Sequence, residues 1–161
     1  MSGRMYTAQF SAVAVTALQD FLEILAPSDA VIQIHSWEVF QTTDVGDSEE
    51  EILRIETVRG VGSVTSGSGG SSVTPQPVHD GDAASGATVE RNNTTRMAAG
   101  SGSLETLRQY GWNVRVPLSI LYTPEDRPTI SPGNRFTLSL PAAPGDSITV
   151  SGTIVFCEIG G

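Results

Sequence analysis

The stretch "WNVRVPLSILY", residues 112–122, carries the alternation that decides the fold class. Every second side chain from Trp112 to Tyr122 is apolar or aromatic, and the positions between them are mostly polar. A period of two is typical of a strand with one buried and one solvated face. Pro117 lies on the outward phase, where it removes a hydrogen-bond donor, and so indicates an edge strand or a bulge. We expect one continuous strand whose buried face includes Val116.

The same period recurs along most of the chain. It is found in "YTAQFSAVAV" (6–15), "AVIQIHSWEVFQ" (30–41), "EILRIETVRG" (51–60), "RFTLSLP" (135–141) and "SITVSGTIVFCEIGG" (147–161). Seven or eight short strands separated by turn signals are typical of an antiparallel sandwich or jelly roll. The sequence therefore predicts a mainly β protein, an antiparallel β-sandwich of jelly-roll-like form. The acidic stretch "TTDVGDSEEE" (42–51) is expected to be a solvated turn between two of these strands.

One segment has a different period. In "TALQDFLEILAP" (16–27), the apolar residues Leu18, Phe21, Leu22 and Leu25 fall at helical spacing. Thr16 and Gln19 have the spacing of a capping box, and the segment ends in a proline. This pattern predicts one short helix of about ten residues that closes one end of the sheet core.

The centre of the chain is rich in Gly, Ser and Pro: "RGVGSVTSGSGGSSVTPQPVHDGD" covers residues 59–82. A linker between two domains would leave two halves of marginal size, and Cys157 is the single cysteine, so no internal disulfide could reinforce either half. We therefore expect a single sandwich domain over residues 1–161 with a long internal loop. Loops longer than about 12–15 residues are uncommon in compact domains, and are usually functional or disordered.

We interpret residues 59–86 as an arm that contacts a neighbouring subunit, mobile in the free protein and ordered in the assembly. A disordered loop without a role is the alternative. On the arm hypothesis, deleting residues 62–72 leaves the melting of the isolated subunit nearly unchanged and weakens assembly. The candidate interface residues are Arg59, Val61, Val64, Val73, Pro75, Pro77 and Val78.

Charge and composition exclude several classes of function. The net charge is −9, and all nine cationic residues are arginines. An acidic chain without a basic run lacks the electrostatic footprint of a nucleic-acid or membrane-surface protein. Without lysine there is neither a P-loop nor a Schiff-base residue. The arginine usage fits either interface contacts or a GC-rich coding sequence. The N-terminus has no secretory signal pattern, and no run reaches the roughly 18 apolar residues of a membrane span.

Few residues suggest catalysis or metal binding. His35 is expected to be a half-buried sheet residue, and Cys157 a buried structural thiol. His79 lies beside Asp80 and Asp82, a group that could hold a cation weakly but is more typical of a solvated loop. We therefore predict no enzymatic activity, no metal and no cofactor.

Three segments carry a resemblance to a known family. They are "EEEILRIETVRGVGSVTSGSGGS" (49–71), "NNTTR" (92–96) and "GWNVRVPLSILYTPEDRPTISPGNRFTLSLPAAP" (111–144). The chain, from about Tyr6 to its end, resembles small virion proteins of tailed bacteriophages and prophages, in particular head decoration (cement) proteins.

The resemblance implies a structural role. It implies a β-rich homotrimer on the outer surface of the capsid, bound to the major capsid protein and stabilising the shell through contacts between subunits. A fibre-like or receptor-binding module of head or tail is the alternative, and a small sandwich-fold enzyme is a third. The receptor-binding alternative predicts exposed aromatic residues at loop tips, whereas Trp37 and Trp112 have the phase of core residues.

Overall fold

The computed structural model describes residues 3–42 and 50–161, and in this part of the chain the regular structure is entirely β. The strands are β1 Arg4–Val15, β2 Gln19–Leu25, β3 Ala30–Gln41, β4 Ile52–Val61, β5 Ser71–Val73, β6 Gln76–Pro77, β7 Thr88–Asn93, β8 Ser103–Asn113, β9 Leu118–Leu121, β10 Thr129–Ile130, β11 Arg135–Leu140 and β12 Ile148–Gly160. Most of the predicted acidic turn, residues 43–49, lies outside the described residues.

The strands form two antiparallel sheets. Sheet A has the order β10-β3-β12-β1-β6, with β9 also paired to β3, and sheet B has the order β5-β7-β2-β11-β4-β8. The pairing is nested: β1 pairs with β12, β2 with β11, β3 with β9 and β10, and β4 with β8. A folded-over antiparallel ribbon of this kind is a jelly roll. The predicted antiparallel sandwich is confirmed, and β5, β6 and β7 are additions from the segment between β4 and β8.

One hydrophobic core fills the space between the sheets. Sheet A contributes Tyr6, Trp37 and Phe156, and sheet B contributes Phe21 and Phe136, all at most 2% exposed. Along β12 the buried Ile148, Val150, Ile154 and Phe156 follow the period of two that the sequence predicts. The alternation therefore identified the inward face of β12.

The predicted short helix is wrong, because residues 19–25 form β2 in the interior of sheet B. The pairing with β11 skips Phe21: Ser139 lies opposite Asp20 and Leu138 opposite Leu22. This bulge turns Phe21 and Leu22 toward the core together, and both are at most 1% exposed. Because two consecutive residues face the core, the apolar residues of this strand fall at helical spacing. For that reason the sequence pattern predicted a helix.

The continuous strand predicted over residues 112–122 is also wrong. β8 ends at Asn113 and the chain crosses through a turn to β9, which belongs to the other sheet. Trp112 and Val114 are 1% exposed on one side of the turn, but Val116 within it is 57% exposed. The indole N–H of Trp112 donates to the carbonyl of Val116 at 2.9 Å, which fixes the turn. The alternation thus spans two strands and a corner.

Candidate interaction site formed by the Gly/Ser/Pro segment

The Gly/Ser/Pro segment runs along one side of the sandwich. We call residues 62–86 the strap. Its first part, residues 62–70, lies over the outer face of sheet B and forms isolated bridges with a second loop, Thr65 to Ala98 and Ser68 to Thr95. β5 then pairs with β7, and β6 pairs with β1 of sheet A. The strap therefore connects the edges of the two sheets within one chain.

The strap's first part is held by a buried carboxylate of β2. Glu23 is 1% exposed and accepts hydrogen bonds from the Ser66 hydroxyl and the Gly67 N–H, both at 2.8 Å. The amide of Asn93 donates to it at 3.1 Å and the guanidinium of Arg135 at 2.7 Å. Four donors from three distant parts of the sequence thus satisfy one charge, as a buried carboxylate requires.

Glycine at position 67 is required by this close approach. A Cβ there would lie 2.8 Å from the Asn93 amide nitrogen, a Glu23 carboxylate oxygen and the Thr95 carbonyl oxygen. Such separations are well inside van der Waals contact, and one of the three atoms belongs to the backbone. In this part of the segment, the Gly-rich composition allows tight packing on the subunit's own sheet.

A second buried carboxylate lies next to the first on β2. Asp20 is 1% exposed and accepts hydrogen bonds from the Met97 N–H at 2.7 Å and the Ser139 hydroxyl at 2.6 Å. Arg96 forms an ion pair with Asp20 at 3.5 Å and a longer one with Glu56 at 3.8 Å. Burial raises the pKa of Asp20 from its ordinary value of 3.8, and these donors and the guanidinium oppose the rise. Asp20 therefore fixes the second loop, as Glu23 fixes the strap.

The predicted interface residues are mostly packed against other parts of their own chain. The Arg59 guanidinium forms an ion pair with Glu105 at 2.6 Å and donates to the Thr129 carbonyl of sheet A at 3.2 Å. Pro75 is buried, while Val61, Val64, Val73 and Pro77 are half-buried. Val78 is 52% exposed, and the residues from His79 to Gly81 are exposed beside it. The contact of residues 59–86 with a partner remains a prediction, which now concerns chiefly this exposed turn.

The strap's last part is also attached to the subunit. The Tyr6 hydroxyl donates to the Ala83 carbonyl at 2.8 Å. The buried Glu158 of β12 accepts from the Ser85 hydroxyl at 2.7 Å and from the Gly86 N–H at 3.0 Å. The structure thus gives the strap intramolecular contacts on both sides of its exposed turn. Deleting residues 62–72 would remove two donors to Glu23 and the pairing of Ser71 and Ser72, so we now expect the deletion to destabilise the isolated subunit.

Three further residues were singled out in the sequence: His35, His79 and Cys157. His35 is half-buried on β3, and burial lowers the pKa of its imidazole. Cys157 is buried on β12, and burial raises the pKa of its thiol, which favours the protonated form. His79 is exposed in the strap's turn. Among residues 3–42 and 50–161, no group of three or more His, Cys, Asp or Glu side chains could hold a metal ion.

Sequence reasoning missed Asp20, Glu23, Arg96 and Arg135. The available signal was the pair of acids in the apolar run "QDFLEIL", which is unusual for a strand covered on both faces. Their donors come from positions 43 to 119 residues away, so no local motif marks the network.

In the described parts of the chain, no helix is long and apolar enough to cross a membrane. No family model, curated protein or solved structure matches the chain.

Proposed function

We propose that this chain is a non-enzymatic decoration protein that binds the outer surface of a tailed-phage head as a homotrimer and stabilises the shell. Its partners are further copies of itself and the major capsid protein. The proposal begins from the resemblance of residues 49–71, 92–96 and 111–144 to head decoration proteins. Jelly rolls also occur in lectin domains and cupins, so the fold class by itself selects no function.

The observation that carries the proposal is the way the strap is built. Glu23 and Glu158, buried on opposite sheets, together accept hydrogen bonds from Ser66, Gly67, Ser85 and Gly86 of the strap. These contacts present the turn around Val78 in a defined conformation at the side of the sandwich. A preordered contact loses less conformational entropy on binding than a mobile arm does. Such a contact suits a protein that must occupy many equivalent positions on a shell.

The test is removal of the gene from the phage or prophage that encodes the chain. Heads lacking the protein should lose regularly spaced surface features in negative-stain images and should release DNA at a lower temperature. Adding the purified protein back should restore both properties. Mutant heads with the same surface, mass and heat resistance as intact heads would contradict the proposal.

The same virions separate the decoration role from the receptor-binding alternative. Trp37 and Trp112 are 2% and 1% exposed, so neither indole is available at a loop tip for ligand binding. Gold-labelled antibody against the chain is expected on the head, and deletion is expected to leave adsorption to host cells unchanged. Label on tail fibres together with lost adsorption would favour the receptor-binding role.

A further inference from the structure

The two outer faces of the sandwich differ in charge and in covering. The outer face of sheet B carries Asp20, Glu23, Glu56 and Arg135, and the chain covers it with the strap and the loop around Arg96. The outer face of sheet A is built mainly from uncharged side chains. We call its central part the neutral face, which consists of eight residues: Thr7, Gln9, Ser36, Glu38, Ser119, Leu121, Thr153 and Val155.

These residues form two rows across the sheet. Thr7, Val155, Ser36 and Leu121 lie side by side on β1, β12, β3 and β9. In the next row, Gln9, Thr153 and Ser119 flank Glu38, the one charged residue of the two rows. The Ser119 hydroxyl donates to the Glu38 carboxylate at 3.3 Å.

The neutral face is open to solvent and shaped for contact. Leu121 is 81% exposed, the most exposed of the large apolar side chains in the described chain, and Gln9 and Ser119 are exposed as well. A depression of about 270 Å³ lies over Ser36 between Leu121, Val155 and Glu38. Few charges and an exposed large apolar side chain are typical of the central part of a protein interface.

The neutral face crosses four strands, β1, β12, β3 and β9. With about 4.8 Å between strands, it spans roughly 14 Å from Thr7 to Leu121. Stable complexes bury about 800 Å² on each partner, so the neutral face can form the centre of such a contact while the surface around it supplies the rim.

Charge and hydrogen-bonding chemistry identify the partner as a second copy of this chain. Each copy has a net charge of −9, so copies repel one another across most surfaces. The neutral face brings only Glu38 of each copy into the contact. The hydroxyls of Thr7, Ser36 and Thr153 can both donate and accept hydrogen bonds, so the neutral faces of two copies can bond to each other. Two surfaces that carry the same sign of charge cannot do so. We propose that the neutral face is the contact between copies of this chain. This inference depends on the proposed function in one respect only, that copies of the chain associate with one another.

The test compares two exposed apolar residues on different faces. Leu121→Asp places a carboxylate in the neutral face, and Gln9→Glu adds one at its other side. Ile52→Asp, at a position 75% exposed on β4 of sheet B, is the matched control. Thermal melts should show that all three variants fold, because each side chain is exposed.

Analytical ultracentrifugation of the full chain then gives mass and affinity. We expect an oligomer for the wild type and for Ile52→Asp. The dissociation constant should rise at least about tenfold in Leu121→Asp and in Gln9→Glu. A wild type that remains monomeric at about 1 mM, or an oligomer unaffected by either variant on the neutral face, would overturn the inference.

Binding to purified heads separates this inference from the proposed function. A Leu121→Asp protein that keeps its oligomeric mass but no longer binds heads would show that the neutral face contacts the capsid. That result would overturn the inference and retain the decoration role. Oligomers that depend on Leu121 but do not bind heads would retain the inference and contradict that role. A dimeric mass that depends on Leu121 would also retain it, and would contradict the homotrimer.

Discussion

The Gly67 N–H donates to the Glu23 carboxylate at 2.8 Å, and this bond joins the strap to the interior strand of sheet B across 44 positions of sequence. Glu23 is 1% exposed, so the strap covers a charge that would otherwise lie open on the sheet. The strap is therefore part of the folded chain, and it also carries the turn proposed to contact a partner.

Gly67→Ala should destabilise the subunit. The added Cβ would lie 2.8 Å from the Thr95 carbonyl oxygen, and this backbone atom can move only if the loop bridged to the strap moves with it. Overpacking of this kind costs about 1–3 kcal/mol of unfolding free energy, measurable by urea denaturation. Gly111→Ala is the matched control, because its Cβ would meet only Ile52 at an ordinary 3.6 Å. Equal losses in both variants would contradict the argument.

Glu23→Gln should also destabilise the subunit, because an amide has one acceptor oxygen for the four donors and leaves the Arg135 guanidinium without its carboxylate. We expect a loss on the order of 1–3 kcal/mol in urea denaturation. The control, Asp126→Asn, breaks the ion pair with Arg108, in which both side chains are about half exposed, and should cost less than about 1 kcal/mol. If the control lost as much stability as Glu23→Gln, burial of the network would not be the cause.

The contribution of Asp20 to stability should fall as pH rises. Because burial raises its folded pKa above the ordinary value of 3.8, the folded state holds the proton more tightly than the unfolded chain does. The stabilisation is complete below pH 3.8 and is lost as pH rises through the folded pKa. Urea denaturation should therefore show that the free energy of unfolding of wild type falls relative to that of Asp20→Asn as pH rises across this range. Asp126→Asn, which also lacks one carboxylate, is the control. A difference that grows in the opposite direction would show that the donors, not burial, control this carboxyl.

Two valines in the corner between β8 and β9 should respond oppositely to the same substitution. Val114 is 1% exposed and Val116 is 57% exposed, although they share one phase of the sequence. Val114→Asp would place an unpaired charge in the core and should prevent folding, while Val116→Asp should melt close to wild type. Circular dichroism and thermal melts distinguish the two. Loss of folding in both variants would favour the continuous strand that the sequence predicts, in which Val114 and Val116 share one buried face.

The fold was predictable wherever one face of a strand is buried and the other is solvated. β12 is an example, because Ile148, Val150, Ile154 and Phe156 are buried at positions that share one phase. β2 was not predictable, because its bulge turns Phe21 and Leu22 inward together and its outward acids are covered by the strap. The period of the apolar residues indicates the element type only where the strand is regular and one of its faces is solvated. A bulge, a corner or a covering segment changes that period although the backbone is still extended.

The candidate site was predictable only in outline. The Gly, Ser and Pro content of residues 59–86 indicated an unusual segment, but the same composition suits a mobile arm and a strap packed closely on its own sheet. Gly67 distinguishes the two, since a Cβ at this position would meet three atoms at 2.8 Å. Those atoms belong to residues 23, 93 and 95, and only the folded chain brings them together.

The strap's exposed turn supplies the last prediction. Val78 is 52% exposed, and its N–H donates to the Met5 carbonyl at 2.8 Å, so its backbone is held by β1 while its side chain faces solvent. Val78→Asp should leave the melting temperature unchanged and should lower the occupancy of purified heads, because it puts a charge where an apolar contact is proposed. The Ile52 side chain is 75% exposed, so Ile52→Asp should also leave folding unchanged, and this control should bind heads as wild type does. Occupancy can be measured by quantitative gel analysis of sedimented heads, and equal occupancy for all three proteins would remove the turn from the proposed contact.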